Sequence, residues 1–205
     1  AYRAHADGEP PAATGDVRWT FHTRGPVRLA PTYADGRVWF GSDDGRVYCL
    51  NARDGKKHWS WQPPGALRLI PGNGRLISDH PVRSDVLIKD GLAYVCAGIF
   101  PGQTVYLCAL NAETGTPEWM VESAAVSPQG YLLASESFLF VPTGRTNPAV
   151  FERASGKFIG EIEGNGGTFA LLTNDYLLSG PGRDGNDAMV AADQIGRASC
   201  RERVC

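Results

Sequence analysis

The strongest constraint on the fold is a ten-residue phrase that the chain contains twice. Residues 50–59 read LNARDGKKHW, and residues 110–119 read LNAETGTPEW. In both copies a Gly precedes the closing Trp by four positions, and weaker copies surround Gly15 and Gly156. The four glycines are separated by 40, 60 and 41 residues. Self-similarity at this spacing indicates one supersecondary unit used several times along the chain.

Within each unit, apolar segments of strand length alternate with turn residues. Asp35-Gly36, Asp44-Gly45 and Asp90-Gly91 are strong hairpin signals, because Gly tolerates the positive φ of tight turns. Helical spacing of apolar residues is absent almost everywhere. The sequence therefore predicts an all-β fold, a β-propeller of four-stranded antiparallel blades. A β-sandwich also uses short strands, but it does not predict a Gly–Trp phrase at blade spacing.

About four blades are expected within residues 1–193, and the longest interval predicts an insertion in residues 62–79. Residues 194–205 are predicted to be a non-native tail, because IGRASCRERVC at 195–205 resembles a translated sequencing adapter. The expected blade repeats lie around residues 15–59, 80–119, 128–160 and 167–193.

The repeated phrase has a structural interpretation. Asn51 and Asn111 can accept hydrogen bonds from the turn backbone, while Gly55 and Gly115 supply the left-handed turn residue. Each Trp then begins an outer strand, where its ring fills the wedge between blades and its N–H reaches a neighbouring carbonyl. The predicted docking tryptophans are Trp19, Trp59 and Trp119.

The phrase at residues 109–119 resembles the tryptophan-docking motif of PQQ-type propeller repeats, Ala-x-Asp-x-x-Thr-Gly-x-x-x-Trp, with Asn in place of Asp. Residues 49–59 match with Cys for Ala and Asp for Thr. The chain is similar to bacterial PQQ-binding-like propeller proteins and, more distantly, to the propeller lipoprotein of the outer-membrane β-barrel assembly machine. Complete members have roughly seven or eight blades. The resemblance implies an incomplete ring and a location in the periplasm or otherwise outside the cytoplasm.

Quinoprotein dehydrogenases share this repeat, and the resemblance implies what such an enzyme needs: a vicinal Cys pair, Ca²⁺ ligands and an Asp base. Cys49, Cys96 and Cys108 are not adjacent, and the four histidines lack metal-ligand spacing. No catalytic, cofactor-binding or metal residue is therefore predicted in this chain. Cys96 and Cys108 flank Pro101-Gly102, and the spacing allows either a disulfide or two buried thiols.

The leading hypothesis is a non-catalytic module that binds a small anionic ligand or a protein partner at a blade-loop face. The remaining blades of a longer chain are further expected contacts. The alternative is a fragment of a PQQ-dependent dehydrogenase whose PQQ and Ca²⁺ ligands lie in missing blades. A net charge of −2 without a basic stripe argues against nucleic acid as the partner. No apolar run is long enough to span a bilayer.

Two similar segments supply candidate ligand-binding residues. Arg28 ends the segment Gly-Pro-Val-Arg, and Arg83 ends His-Pro-Val-Arg, at matching places before the first strand of two units. They are expected to be neighbours at one mouth of the channel, where paired guanidinium groups suit a carboxylate or phosphate. Arg145 is a third candidate. Alternatively, these arginines bind groups between blades, with Asp79 or Asp85 as acceptors.

Overall fold

The computed structural model describes residues 17–65, 67–72, 74–99, 104–123, 126–144, 146–162, 170–173, 176–179 and 190–193. Every regular element in these ranges is a β-strand. The strands are β1 Thr32–Ala34, β2 Arg37–Gly41, β3 Val47–Asn51, β4 Lys57–Trp61, β5 Leu69–Gly72, β6 Arg75–Ser78, β7 Leu87–Lys89, β8 Leu92–Ala97, β9 Val105–Asn111, β10 Pro117–Ser123, β11 Leu133–Ala134, β12 Phe138–Val141, β13 Ala149–Glu152, β14 Phe158–Glu161, β15 Ala170–Leu172, β16 Tyr176–Ser179 and β17 Val190–Asp193.

These strands form consecutive antiparallel meanders. Three sheets have four strands each, in the orders β1-β2-β3-β4, β7-β8-β9-β10 and β11-β12-β13-β14. A fourth sheet shows β15-β16-β17 among the described residues. The first strands of neighbouring sheets lie beside each other, β1 against β7 and β11 against β15. The predicted all-β propeller is confirmed, as an incomplete ring of blades.

The predicted insertion is also confirmed. Strands β5 and β6 form a separate two-stranded hairpin between the first and second sheets. Its cross-strand pairs include Ile70 with Ile77 and Pro71 with Leu76.

The core consists of layers between successive sheets. Trp39 and Cys49 of the first sheet pack with Val95 and Cys108 of the second. Alternate residues of the second sheet, such as Tyr94, pack instead on the third sheet. Middle strands are therefore buried on both faces, which explains why β3 and β9 are apolar at nearly every position.

Three cysteines in the described part of the chain are free and buried: Cys49, Cys96 and Cys108. Cys96 lies opposite Leu107, and Cys108 lies opposite Val95. The two side chains belong to different core layers, so they do not form a disulfide. Burial raises the pKa of Cys49 to about 12 and raises the pKa of the other two thiols, which keeps all three protonated.

Candidate functional site

The tryptophans of the repeated phrase join each unit to the next. The indole N–H of Trp19 donates to the Ala52 carbonyl at 2.9 Å, and that of Trp59 donates to the Ala112 carbonyl at 3.1 Å. Trp119 makes the same bond to the carbonyl of Arg153 at 3.2 Å. Each acceptor lies in the β-turn of the following sheet, so the bonds of Trp59 and Trp119 tie two blades together, and the bond of Trp19 ties the segment before β1 to the first blade.

Glycine is required under each of these rings. Gly55 has φ +72°, and a Cβ built there would lie 2.6 Å from Cδ2 of Trp19. At Gly115, with φ +74°, it would lie 2.6 Å from Cδ2 of Trp59. A Cβ atom less than 3.0 Å from a ring atom would force the ring to shift, so the ring packs against a left-handed turn residue without a side chain. This contact explains why Gly and Trp recur together.

Asparagine side chains close the same turns. Oδ1 of Asn51 accepts from the backbone N–H groups of Arg53 and Asp54. Asn111 does the same for Glu113 and Thr114. The phrase as a whole is thus a capped turn that receives the preceding blade's tryptophan.

The opposite ends of the sheets meet around the β2–β3 turn. The backbone N–H of Asp43 donates to Pro26, and the Asp43 carbonyl accepts from Ser78. The backbone N–H of Val82 donates to the carbonyl of Ser42. These bonds bring together the turn at residues 42–46, the entry segments 25–31 and 79–86, and the hairpin 69–78. We call these residues the loop face.

Asp43 is the electrostatic centre of the loop face. Its fully buried carboxylate accepts from Arg28 Nε at 2.7 Å and from Arg83 Nε at 3.0 Å. Arg83 adds a second contact from an Nη atom at 3.3 Å. The side chains of Arg28 and Arg83 keep 34% and 21% exposure. Two guanidinium charges therefore share one carboxylate, which leaves an excess of one positive charge.

The structure places Arg28 and Arg83 side by side, but their acceptor differs from the carboxylates suggested by the sequence. Asp79 instead contacts Nδ1 of His80 at 3.0 Å. Asp85 accepts the backbone N–H of Leu132 at 2.7 Å. Asp43 was not predicted, because it stands beside the Asp44-Gly45 turn signal and no pattern in the sequence relates it to the two arginines. Arg145 lies outside the described residues.

Asp85 is a buried carboxyl group between two blades. It exposes 8% of its surface, and its own backbone N–H donates to the Gly130 carbonyl. Burial raises the pKa of Asp85 to about 7, although the N–H groups of Leu132 and Asp85 act in the opposite direction.

The inserted hairpin carries the most exposed apolar side chains of the loop face. Leu69 is 50% exposed and Leu76 is 60% exposed, and Leu67 beside them is 48% exposed. Arg68 and Arg75 are also exposed. The irregular repeat spacing could have pointed to this surface, because an insertion in one blade is not needed for the ring itself.

Within the described ranges, no group of three His, Cys, Asp or Glu side chains is arranged to hold a metal ion. The same residues contain no helix long and apolar enough to cross a membrane.

Residues 11–77 match the PQQ-like repeat family model described as Outer membrane protein assembly factor BamB. The structure superposes on that of BamB from Moraxella catarrhalis with a TM-score of 0.65 and 16% identity, over 93% of this chain and 52% of that chain. This chain carries PQQ-like β-propeller repeats. The propeller also superposes on the Neurospora crassa Pan2 WD40 domain, with a TM-score of 0.58 at 17% identity, over 87% of this chain and 49% of that one.

Two kinds of curated relatives align with the propeller. Outer membrane protein assembly factor BamB of Bordetella pertussis is 29% identical over 129 residues, 62% of this chain and 29% of that protein. The dehydrogenase subunit of alcohol dehydrogenase (quinone) of Gluconobacter oxydans is 30% identical over 122 residues, 53% of this chain and 15% of that protein. The chain thus spans less than a third of either relative.

Proposed function

We propose that this propeller is a non-catalytic binding module whose loop face engages a protein partner. The observation that carries the proposal is the inserted hairpin, which exposes leucines and lies beside the exposed side chains of Arg68 and Arg75. Propeller repeats alone supply a scaffold and no reaction.

The hairpin has one packed side and one open side. Ile70 and Ile77 are a directly opposed pair, and Ile77 is buried. Leu69, Pro71 and Leu76 belong to the alternate positions and project from the other side, because neighbouring residues of a strand point to opposite faces. Large apolar side chains gathered on one exposed element are typical of docking surfaces.

The charges around the hairpin indicate the chemistry of the partner. Arg68 directly precedes the hairpin and Arg75 begins its second strand, and the Asp43 cluster with its excess positive charge contacts the hairpin base through Ser78. A complementary partner has an apolar patch rimmed by carboxylates. We propose that Arg28, the more exposed of the two clustered arginines, contacts such a carboxylate, with Arg83 and Asp43 holding it in place.

One of the two kinds of relatives favours a protein as the partner. One is named as an outer membrane protein assembly factor, so we propose a component of the outer-membrane β-barrel assembly machinery as the partner of this chain. This assignment carries with it a location outside the cytoplasm, in the periplasm.

A matched pair of charge insertions tests the proposal. Leu69→Glu places a carboxylate in the docking surface, while Ile159→Glu does so on strand β14, where Ile159 is 49% exposed. We expect Leu69→Glu to weaken binding to the purified assembly machinery at least about tenfold in surface plasmon resonance, equivalent to about 1.4 kcal/mol. Ile159→Glu should leave affinity within about twofold. Equal affinities for both variants would remove the hairpin from the interface.

The second candidate is a segment of a PQQ-dependent dehydrogenase, which the 30% identity to the quinone alcohol dehydrogenase subunit favours. The described residues do not fit PQQ and Ca²⁺, because they contain neither a vicinal Cys pair nor a cluster of metal ligands. The ligands would have to come from other parts of a longer chain. Titration with PQQ and Ca²⁺, followed by absorbance, separates the two functions: saturable binding favours the dehydrogenase.

A further inference from the structure

We propose a second binding site, for a phosphate group, in a cleft at the edge of the first sheet. The cleft has a volume of about 300 Å³ and is lined by Arg24, Arg46, Tyr48, Lys57 and Ser60. Neither Arg28 nor Arg83 lines it, so this inference goes beyond the proposed partner site.

Regular strands and a packed segment build the cleft. Tyr48 of β3 and Ser60 of β4 are directly opposed, so their hydroxyl-bearing side chains share one face of the sheet. The Phe21 ring packs edge-on against Tyr48 at a centroid distance of 5.4 Å. With the Trp19 bond to Ala52, this contact holds residues 17–24 over the sheet. Arg24 is thereby brought to the cleft, which Lys57 also lines.

The cationic side chains of the cleft are only partly compensated, by the Asp44 carboxylate, which bonds the backbone N–H groups of Arg24 and Arg46. Arg24, Arg46 and Lys57 form no ion pair in the described part of the chain, whereas Arg28, Arg37, Arg83 and Arg153 each contact a carboxylate. Three positive charges beside the single carboxylate of Asp44 leave an excess of two, and like charges in one cavity repel one another. An anion entering the cleft would relieve that repulsion, although the chain as a whole is mildly acidic.

Asp44 lies at the base of this site, but its oxygens are already committed. Oδ2 accepts from the backbone N–H of Arg24 at 3.0 Å and from the hydroxyl of Tyr48 at 2.7 Å. Oδ1 accepts from the backbone N–H of Arg46 at 3.1 Å. Asp44 therefore positions the backbone of both arginines and fixes the Tyr48 hydroxyl, while their guanidinium groups stay available. Burial and the bond to Asp44 raise the pKa of Tyr48, so the hydroxyl stays neutral beside an incoming anion.

The donor set selects a tetrahedral dianion. Guanidinium groups donate two parallel hydrogen bonds to phosphate oxygens, and an ammonium group adds a point charge. The Ser60 hydroxyl supplies another donor. A volume of about 300 Å³ lies at the small end of ligand pockets, which suits a phosphate monoester or a lipid phosphate headgroup.

Isothermal titration calorimetry with inorganic phosphate tests the site, using the purified chain and two neighbouring lysines as a matched pair. Lys57 lines the cleft, while Lys56 is exposed and pairs with Asp54 in the turn. We expect saturable binding that weakens about tenfold in Lys57→Gln, and about tenfold again when Arg46→Gln is added. Lys56→Gln should change affinity by less than about twofold. Circular dichroism on each variant checks that the sheet is intact.

Absence of saturable phosphate binding to the unaltered chain would overturn the proposal, as would equal losses in Lys57→Gln and Lys56→Gln. Acetate binding as tightly as phosphate would also overturn the assignment to a tetrahedral dianion. Glycerol 3-phosphate and vesicles containing phosphatidic acid distinguish the sources. If glycerol 3-phosphate binds and the binding depends on Lys57, the ligand is a soluble phosphate ester. If only the vesicles bind in a Lys57-dependent way, the ligand is a lipid headgroup.

Discussion

Replacing Asp85 with Asn tests whether a buried carboxyl group between two blades makes stability depend on pH. Asp85 is almost fully buried and holds the backbone N–H of Leu132 at 2.7 Å. Burial raises its pKa from 3.8 to about 7, so the fold favours the protonated form. Its contribution to stability is complete below about pH 4, declines as the pH rises, and is lost above about pH 7.

The magnitude follows from the pKa difference. Each unit corresponds to about 1.4 kcal/mol, so the free energy of unfolding falls by roughly 3 kcal/mol between about pH 5 and about pH 8 through this group alone. In Asp85→Asn, the amide oxygen of the new side chain would still accept from Leu132, but the side chain would not titrate. We therefore expect the difference in free energy of unfolding between the unaltered protein and Asp85→Asn to change by roughly 3 kcal/mol over this range. The variant should be relatively more stable at the higher pH.

Urea denaturation at several pH values, followed by tryptophan fluorescence, measures this difference. Asp35→Asn is the control, because Asp35 is an exposed turn residue with φ 45°, a conformation that Asn tolerates. It shows what the same exchange does to stability at a solvent-exposed side chain. A pH profile of Asp85→Asn that runs parallel to that of the unaltered protein would refute the reasoning, since the carboxyl group of Asp85 would then not be protonated by burial.

Four further substitutions test the blade joint and the loop face by urea denaturation. Gly115→Ala and Gly91→Ala impose the same backbone strain, at φ +74° and +75°, but only the first meets a Trp ring, so it should be roughly 2 kcal/mol more destabilising. Equal losses would show that the ring does not need the glycine. Trp59→Phe should lose roughly 1–3 kcal/mol by leaving the Ala112 carbonyl unbonded; an unchanged midpoint contradicts this. Asp43→Asn should lose roughly 3 kcal/mol of stability, because the two arginines would repel each other without the carboxylate. Their separation should be detectable as increased proteolysis of the loop face, and an unchanged rate of proteolysis would contradict the central role of Asp43.

Local chemistry accounts for what the sequence predicted well. Turns at Asp-Gly steps and strand-length apolar runs depend on neighbours along the chain, and the insertion before residue 80 follows from the longest interval between repeats. The phrase ending in Trp59 or Trp119 also specifies a contact with the next blade, because a contact that recurs between blades requires the same residues in each repeat. For this reason the propeller fold can be predicted from one sequence.

The carboxylate that accepts hydrogen bonds from Arg28 and Arg83 could not be predicted in this way. Asp43 is 15 residues from one arginine and 40 from the other, and it is followed by a second aspartate with different partners. Only the packing of the entry segments over the β2–β3 turn decides which carboxylate is buried beneath the guanidinium groups. The same holds for the cleft at Arg24, Arg46 and Lys57, where three separate segments meet.

The sequence by itself thus determined the repeating unit, its strands and the residues that join blades, because those interactions recur at a fixed spacing. The tertiary structure alone decided which charges are neutralised and which remain available. Electrostatic pairing depends on distance in space, and each such pairing occurs once in the chain, so no pattern along the sequence records it.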